Sequence, residues 1–151
     1  MMYAWHYVMT KSSEFESAVT TAMERYARAY SAKDLDGILS IVDEYFFGYG
    51  SGPDEEVYGK EQLRAQVERD LTQCDRVSMA IGPGHISGKG DVAWYAGKCA
   101  IEATVDGQDV RMDARITAVL KRDGDRWLFA MIHFAMPFGA QEAGQSWPEA
   151  E

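Results

Sequence analysis

A chain of 151 residues, 46% hydrophobic and 26% charged, has the composition of one globular domain; at that size folding buries roughly 70% of the surface the unfolded chain exposes, so no staple is required. Its 24 acidic residues outnumber 15 basic ones, and the formal net charge of −9 argues against a nucleic-acid backbone or an anionic membrane surface as partner. No run approaches the roughly 20 apolar residues of a spanning helix, and the two cysteines, Cys74 and Cys99, have neither metal nor scaffold spacing, which points to a reducing, cytoplasmic setting.

Met1 to Met9 is fairly apolar, yet it has no basic leading region and contains His6, so a signal peptide is not expected. Ser13 with Glu16 three residues on has capping-box spacing, and Phe15, Val19, Ala22, Met23, Tyr26 and Tyr30 recur at helical intervals. This predicts a first helix from about Glu14 to Ala32. A second, shorter helix starts at Asp34 with Leu35, Ile38, Leu39 and Val42 on one side. Tyr45 to Tyr49 reads as a strand running into the turn-rich Gly50-Ser51-Gly52-Pro53-Asp54, and Glu56-Val57-Tyr58 as a small edge strand. Lys60 to Gln73 is a third amphipathic helix carrying Leu63, Val67 and Leu71. Arg76 to Ser87 is a strand broken at Gly82-Pro83-Gly84, because proline cannot donate to a ladder.

From Asp91 to Met136 polar and apolar residues swap sides at every second position around two Asp-Gly pairs, Asp106-Gly107 and Asp123-Gly124. Such pairs are strong hairpin signals, so the stretch is a three-stranded antiparallel meander. Placing Val105 opposite Gln108 sets Glu102 against Arg111, Ala100 against Asp113, Lys98 against Arg115, Ala96 against Thr117 and Trp94 against Val119. One face is then apolar from Tyr95 through Leu120 and on to Trp127, Phe129, Met131 and His133. The other is mixed, with Trp94 and Val119 beside Lys98, Glu102, Arg111, Asp113 and Arg115. Both faces want cover, which helices and a second subunit can supply. Helices first and an antiparallel sheet after make an α+β domain, expected over residues 13–138 with terminal extensions at 1–12 and 139–151.

The stretch Glu24-Arg25-Tyr26-Ala27-Arg28-Ala29-Tyr30-Ser31-Ala32-Lys33-Asp34-Leu35-Asp36-Gly37-Ile38, the helix start Gly59-Lys60-Glu61-Gln62-Leu63 and the closing strands around Arg115 to Leu120 and Gly124 to His133 resemble the nuclear-transport-factor-2-like superfamily in its SnoaL-like branch. The closing strands are similar to those of the association domain of calmodulin-dependent kinase. The resemblance implies a cone-shaped, cystatin-like fold, three N-terminal helices roofing a pocket on a curved antiparallel sheet, and a homodimer formed through the sheet's outer face. It also implies a choice among ketosteroid-isomerase-like and polyketide-cyclase-like enzymes and non-catalytic association domains, and fold alone does not make that choice. Tyr26 matches the helical tyrosine that donates to the oxyanion in the steroid isomerases. Their general-base aspartate falls at or near Gly50 and their second oxyanion donor on Thr117, so two of three groups are replaced.

The candidate site residues are therefore Tyr26, Trp94, Asp113, Arg115, Thr117 and His133. Tyr26 and Tyr30 at helical spacing fit a core stripe or a hydroxyl pointed at a ligand. Arg115 is either a solvated strand residue or, if the mixed face curves into the cone, a bidentate anchor for a carboxylate oriented by Asp113. Trp94 would be a wall for a flat ligand, and Thr117 would line the same side. His133 falls on the apolar face, and a one-residue bulge in the last strand would move it to the mixed face, where it or Asp113 could act as base. The three histidines have no ligand spacing, so neither metal nor cofactor is expected. The sequence thus predicts a small, partly apolar, acidic ligand bound in the cone pocket. The alternatives are an isomerase or lyase acting next to a carbonyl without metal, and an association domain that builds an oligomer.

Overall fold

The computed structural model describes residues 2–150, with the side chains of residues 14–150. In chain order it contains α1 (Met2–Ser31), α2 (Leu35–Leu39), β1 (Val42–Tyr49), β2 (Glu56–Tyr58), α3 (Lys60–Thr72), β3 (Arg76–Ile81), β4 (His85–Lys89), β5 (Val92–Val105), β6 (Gln108–Asp123) and β7 (Arg126–Ala135). The class is the expected α+β, three helices packed on a curved, unclosed sheet. Helix α1 begins well before the expected cap. Residues 2–12 contain no glycine or proline to end a helix, so Ser13 lies within α1; its side chain and that of His6 lie outside the described residues. Helix α2 begins where expected, and Asp34 caps it, its Oδ1 accepting from the Gly37 amide at 2.9 Å. It stops at Leu39, and Val42 opens β1 instead of closing the helix.

The sheet runs β2-β1-β7-β6-β5-β3, with β4 also on β5. Both β3 and β4 pair with the 14-residue β5, so Gly82-Pro83-Gly84 separates two short strands that share one long partner. The β5/β6 register is the expected one, from Val105 opposite Gln108 to Trp94 opposite Val119. At its turn Asp106 and Gly107 both have positive φ, 50° and 78°, the pair of angles a type I′ hairpin needs. The next hairpin turns one residue later than expected. Asp123 pairs with Arg126, and the turn is Gly124-Asp125 with Gly124 at φ 62°. Strand β1 joins β7 in parallel, a pairing the meander pattern did not contain.

The larger correction concerns which face the helices cover. The apolar stripe of α1, Phe15, Val19, Met23 and Tyr26, packs with Ala93, Tyr95, Cys99, Ala114, Ile116, Ala118, Leu120 and Phe129 in one core. Edge-to-face ring pairs of Phe15 with Trp127 at 5.8 Å and Tyr26 with Phe129 at 5.5 Å fix the helix to the sheet. The Met79 amide donates to Ser31 Oγ at 2.8 Å and so ties the end of α1 to β3. Burying an apolar stripe against the mixed face would have desolvated Lys98, Glu102, Arg111, Asp113 and Arg115. The charged row stays in water, and the apolar face is the inner one.

Candidate functional site

Between α1, α3 and the apolar face lies a cavity of about 380 Å³. Its floor is formed by Met79, Ile101, Ala103, Met112, Ala114, Ile132 and Phe134, and its roof by Tyr26, Tyr30, Leu63, Gln66, Val67 and Asp70. The loop through Gly50, Ser51, Gly52 and Glu55 borders it. A mostly apolar, pre-formed space with a few convergent polar groups is the usual form of a small-molecule site.

Helical periodicity brings the polar groups together. Tyr26 and Tyr30 are one turn apart on α1, and their rings stack at 6.3 Å and 22°. Gln66 and Asp70 are one turn apart on α3 and lie on the same face. Tyr30 Oη donates to Asp70 Oδ2 at 3.2 Å, and Gln66 Nε2 donates to Asp70 Oδ1 at 2.8 Å. The same amide nitrogen reaches Glu55 Oε1 at 3.5 Å. Glu55 is held in turn by the Gly52 amide at 2.7 Å and the Arg69 guanidinium at 3.6 Å. Arg69 is itself engaged by Asp54 at 2.7 and 3.3 Å.

Tyr26 differs from Tyr30. It is 4% exposed and forms no hydrogen bond among the described residues. No fully enclosed side-chain oxygen or nitrogen among them lacks a partner, so the Tyr26 hydroxyl opens onto the cavity it lines. Burial, and then the charge of Asp70, pushes the Tyr26 phenol far above its ordinary range, and Tyr30 shifts the same way for the same reasons. Both are therefore neutral donors. Burial likewise raises Asp70 above the ordinary carboxylate value; the charge of Glu55 adds to this, while hydrogen bonds from Gln66 and Tyr30 and the charge of Arg69 oppose it. A hydroxyl with no hydrogen-bond partner among the described residues and a carboxyl made more basic thus share one mostly apolar space.

Of the six residues singled out from the sequence, Tyr26 is the one that lines this cavity. The others lie on the opposite face. Trp94 is 46% exposed across from Val119, and Thr117 is exposed between Ala96 and His133. Asp113 is bound by Arg111 at 3.1 and 3.4 Å and does not orient Arg115. Asp113, Arg115 and Lys98 border a shallow outer depression of about 420 Å³ with Ala80, Gly82 and Pro137. His133 has moved as a bulge would move it. Leu120 pairs with Phe129 but Val119 pairs with Met131, leaving Ala130 extra, so Met131 and His133 turn to the mixed face and Ile132 and Phe134 turn inward. There His133 is exposed, edge-on to the Tyr49 ring at 5.7 Å.

Gln66 and Asp70 were not among the residues singled out from the sequence. A signal for them was present: Leu63, Gln66, Val67 and Asp70 follow i, i+3, i+4, i+7, which puts an amide and an acid inside the apolar stripe of α3. Cys99 is buried with its thiol pushed up to about 11, by burial first and then by Asp113, and is unsuited to nucleophilic work. Among the described residues no cluster of three or more His, Cys, Asp or Glu is arranged for a metal, and no helix is long and apolar enough to cross a membrane.

A family model described as SnoaL-like domain matches residues 19–139. None of the curated proteins matches the chain. Among solved structures, a provisionally named dehydratase of the NTF2-like family from Streptomyces avermitilis is similar with a TM-score of 0.76 at 15% identity, over 84% of this chain and 99% of that one. An NTF2-like protein with a cystatin-like fold from Novosphingobium aromaticivorans gives 0.70 at 15% identity, over 83% and 84%. A provisionally named calcium/calmodulin-dependent protein kinase II association domain from Xanthomonas campestris gives 0.71 at 18% identity, over 79% and 85%. At these identities the likeness is one of fold.

Proposed function

Since the chain belongs to the SnoaL-like domain family, we propose that its helix-covered cavity binds a small, partly apolar, neutral carbonyl or phenol compound, with the Tyr26 hydroxyl as the group that orients it. The observation carrying this reading is the Tyr26 hydroxyl itself, open to an apolar cavity of about 380 Å³. A buried phenol without a partner leaves a hydrogen bond unmade, which costs about 1–3 kcal/mol until a ligand or water completes it.

An acidic ligand fits less well than the sequence suggested. Asp70 and Glu55 border the cavity, and no Lys or Arg is among the described residues lining it. A carboxylate entering there would meet two acids and no cation. The cation expected to receive it, Arg115, is on the other side of the sheet.

Isothermal titration with 2-naphthol and 2-naphthoate, which share a ring system and differ in charge, tests this. Near pH 7.5 the neutral phenol is expected to bind at least about tenfold tighter, a difference of roughly 1.4 kcal/mol. Met112→Trp, which fills the floor of the cavity, should abolish that binding. Tighter binding of 2-naphthoate would sink the neutral-ligand reading.

A second copy is the partner we propose for the outer face. Phe47, Met131, Val119 and Trp94 are successive cross-strand partners in one row across β1, β7, β6 and β5. A contiguous apolar row on an exposed sheet face supports an interface.

A further inference from the structure

We propose that residues 50–55 are the door through which a ligand enters the helix-covered cavity, and that Arg69 is the latch that keeps it shut; this rests on the ligand-binding reading above. Most of the cavity wall is helix or strand, and two stretches of it are not. Gln73 and Cys74 form a short turn pinned by backbone bonds, the Gln73 amide donating to the Arg69 carbonyl at 3.1 Å and the following Asp75 amide to the Thr104 carbonyl at 2.7 Å. Lys33 also donates to the Cys74 carbonyl. The loop of residues 50–55, between β1 and β2, is longer and is held differently. Among the described residues its backbone bonds close within it, from the Gly50 amide to the Glu55 carbonyl at 2.8 Å and from the Glu55 amide to the Gly52 carbonyl at 3.3 Å.

What ties this loop to α3 is a set of side-chain bonds. Arg69 meets Asp54 with two nitrogens, at 2.7 and 3.3 Å, and reaches Glu55 Oε1 at 3.6 Å, while the Gln66 amide touches the same oxygen at 3.5 Å. Gly50, Ser51, Gly52 and Glu55 line the cavity, whereas Asp54 and Arg69 do not. The loop thus has the cavity on one side and, at exposed Ser51, Pro53 and Asp54, water on the other. Its shut position depends on the Glu55 carboxylate being folded back into it. The Gly52 amide donates to Glu55 Oε2 at 2.7 Å, and a Cβ at Gly50 would stand 2.1 Å from that oxygen. A guanidinium fork fits a carboxylate with two bonds, yet such pairs near the surface are individually weak. That combination suits a latch, which fixes the loop in one place and gives way when a ligand passes.

Opening precedes entry and exit alike. Raising the open fraction therefore multiplies both rate constants and leaves their ratio, the Kd, where it was, whereas a residue that supports the bound ligand changes dissociation and Kd together. In stopped-flow binding of 2-naphthol, Arg69→Ala should raise the association and dissociation rate constants together, each by about fivefold, with Kd kept within about twofold. Asp54→Asn should act in the same direction and by less. A rise in dissociation alone, or rates unchanged in both variants, overturns the latch. Sodium chloride at about 1 M screens exposed ion pairs and does not steer a neutral probe, so it should raise both wild-type rate constants by one factor and have no such effect on Arg69→Ala. If that variant does not fold, the wild type decides, and rates indifferent to salt overturn the proposal.

Amide hydrogen exchange reads the loop with no ligand present. In Arg69→Ala the Gly50 and Gly52 amides should exchange about fivefold faster, while the Arg122 amide, bonded to the Asp91 carbonyl at 2.8 Å, keeps its rate. Exchange unchanged at Gly50 and Gly52 overturns the latch whatever the cavity binds. Faster exchange with unchanged 2-naphthol rates describes a loop that opens away from the route of entry, and overturns the door while leaving the binding reading intact. Failure of 2-naphthol to bind overturns that reading and the door with it.

Discussion

Asp70 illustrates what an acid inside an apolar stripe costs and offers. Its folded-state pKa is raised by burial above the ordinary carboxylate value of 3.8, so the folded protein holds this proton more tightly than the unfolded chain does. Stability then falls as pH rises from the unfolded value through the folded one, because ionisation is harder in the cavity wall than in water, and the penalty is fully present above the folded pKa. Asp70→Asn removes the titration. The melting temperature of the variant relative to wild type is therefore expected to be higher at pH 8 than at pH 4, as measured by calorimetry at both. A difference that is flat or of opposite sign would show that Asp70 is not driven toward its neutral form. At this scale the sequence was half legible. Tyr26 stood out because it is an aromatic at helical spacing in a recognisable helix, whereas the place of Asp70 in the apolar stripe of α3 marks it as inward-facing without saying what it faces. Its meaning depends on facing Tyr30, 40 residues away, and no local pattern encodes that.

Elements were legible wherever their signals are local. The helix beginning at Asp34, the three-residue edge strand and the Asp106-Gly107 turn follow from local residue chemistry, and all three are found. Strand β7 shows where that ends. Nothing in Arg126 to Ala135 marks Ala130 as an extra residue, because a bulge answers to the partner strand. Across it the side-chain alternation reverses, which is why Ile132 and Phe134 reach the cavity and His133 does not. The parallel seam with β1 depends on the same stretch. Gly48 lies opposite Ile132, and a Cβ at Gly48 would stand 2.1 Å from the Ile132 carbonyl oxygen, far inside contact distance. Gly48→Ala must push the two backbones apart. We expect a loss of about 1–3 kcal/mol, the usual range for overpacking, seen as a lower urea midpoint with an unchanged slope. Ligand affinity should fall too, since the Ile132 side chain is part of the cavity floor. A midpoint equal to wild type would mean that this seam is looser than its geometry indicates.

For the whole molecule, the decisive question is what covers each side of the sheet. Both faces carry apolar residues, and strand register, legible in full for β5 and β6, sorts residues into faces without saying which face is inside. The helices decide it by taking the face free of charge, leaving Phe47 at 49% and Trp94 at 46% exposure at the two ends of an outer apolar row, with Met131 and Val119 between them. Lys98, Arg115, Glu102 and Arg111 lie beyond that row along β5 and β6, an arrangement in which an apolar centre is bordered by a polar rim. Two copies related by a two-fold axis would bring the row against itself, since an isologous contact uses the same patch twice. Val119→Asp places a carboxylate at the centre of that contact from both sides, where it would be desolvated opposite its own copy. Wild type is expected to sediment as a dimer in the low micromolar range, and Val119→Asp to weaken association by about 30-fold or more, the effect of losing a central contact worth roughly 2 kcal/mol. Binding of 2-naphthol should change little, because Val119 points away from the cavity. A wild-type protein that sediments as a monomer at about 100 μM, far above the Kd of a stable dimer, would remove the second copy from this face, and the exposed row would then need another partner.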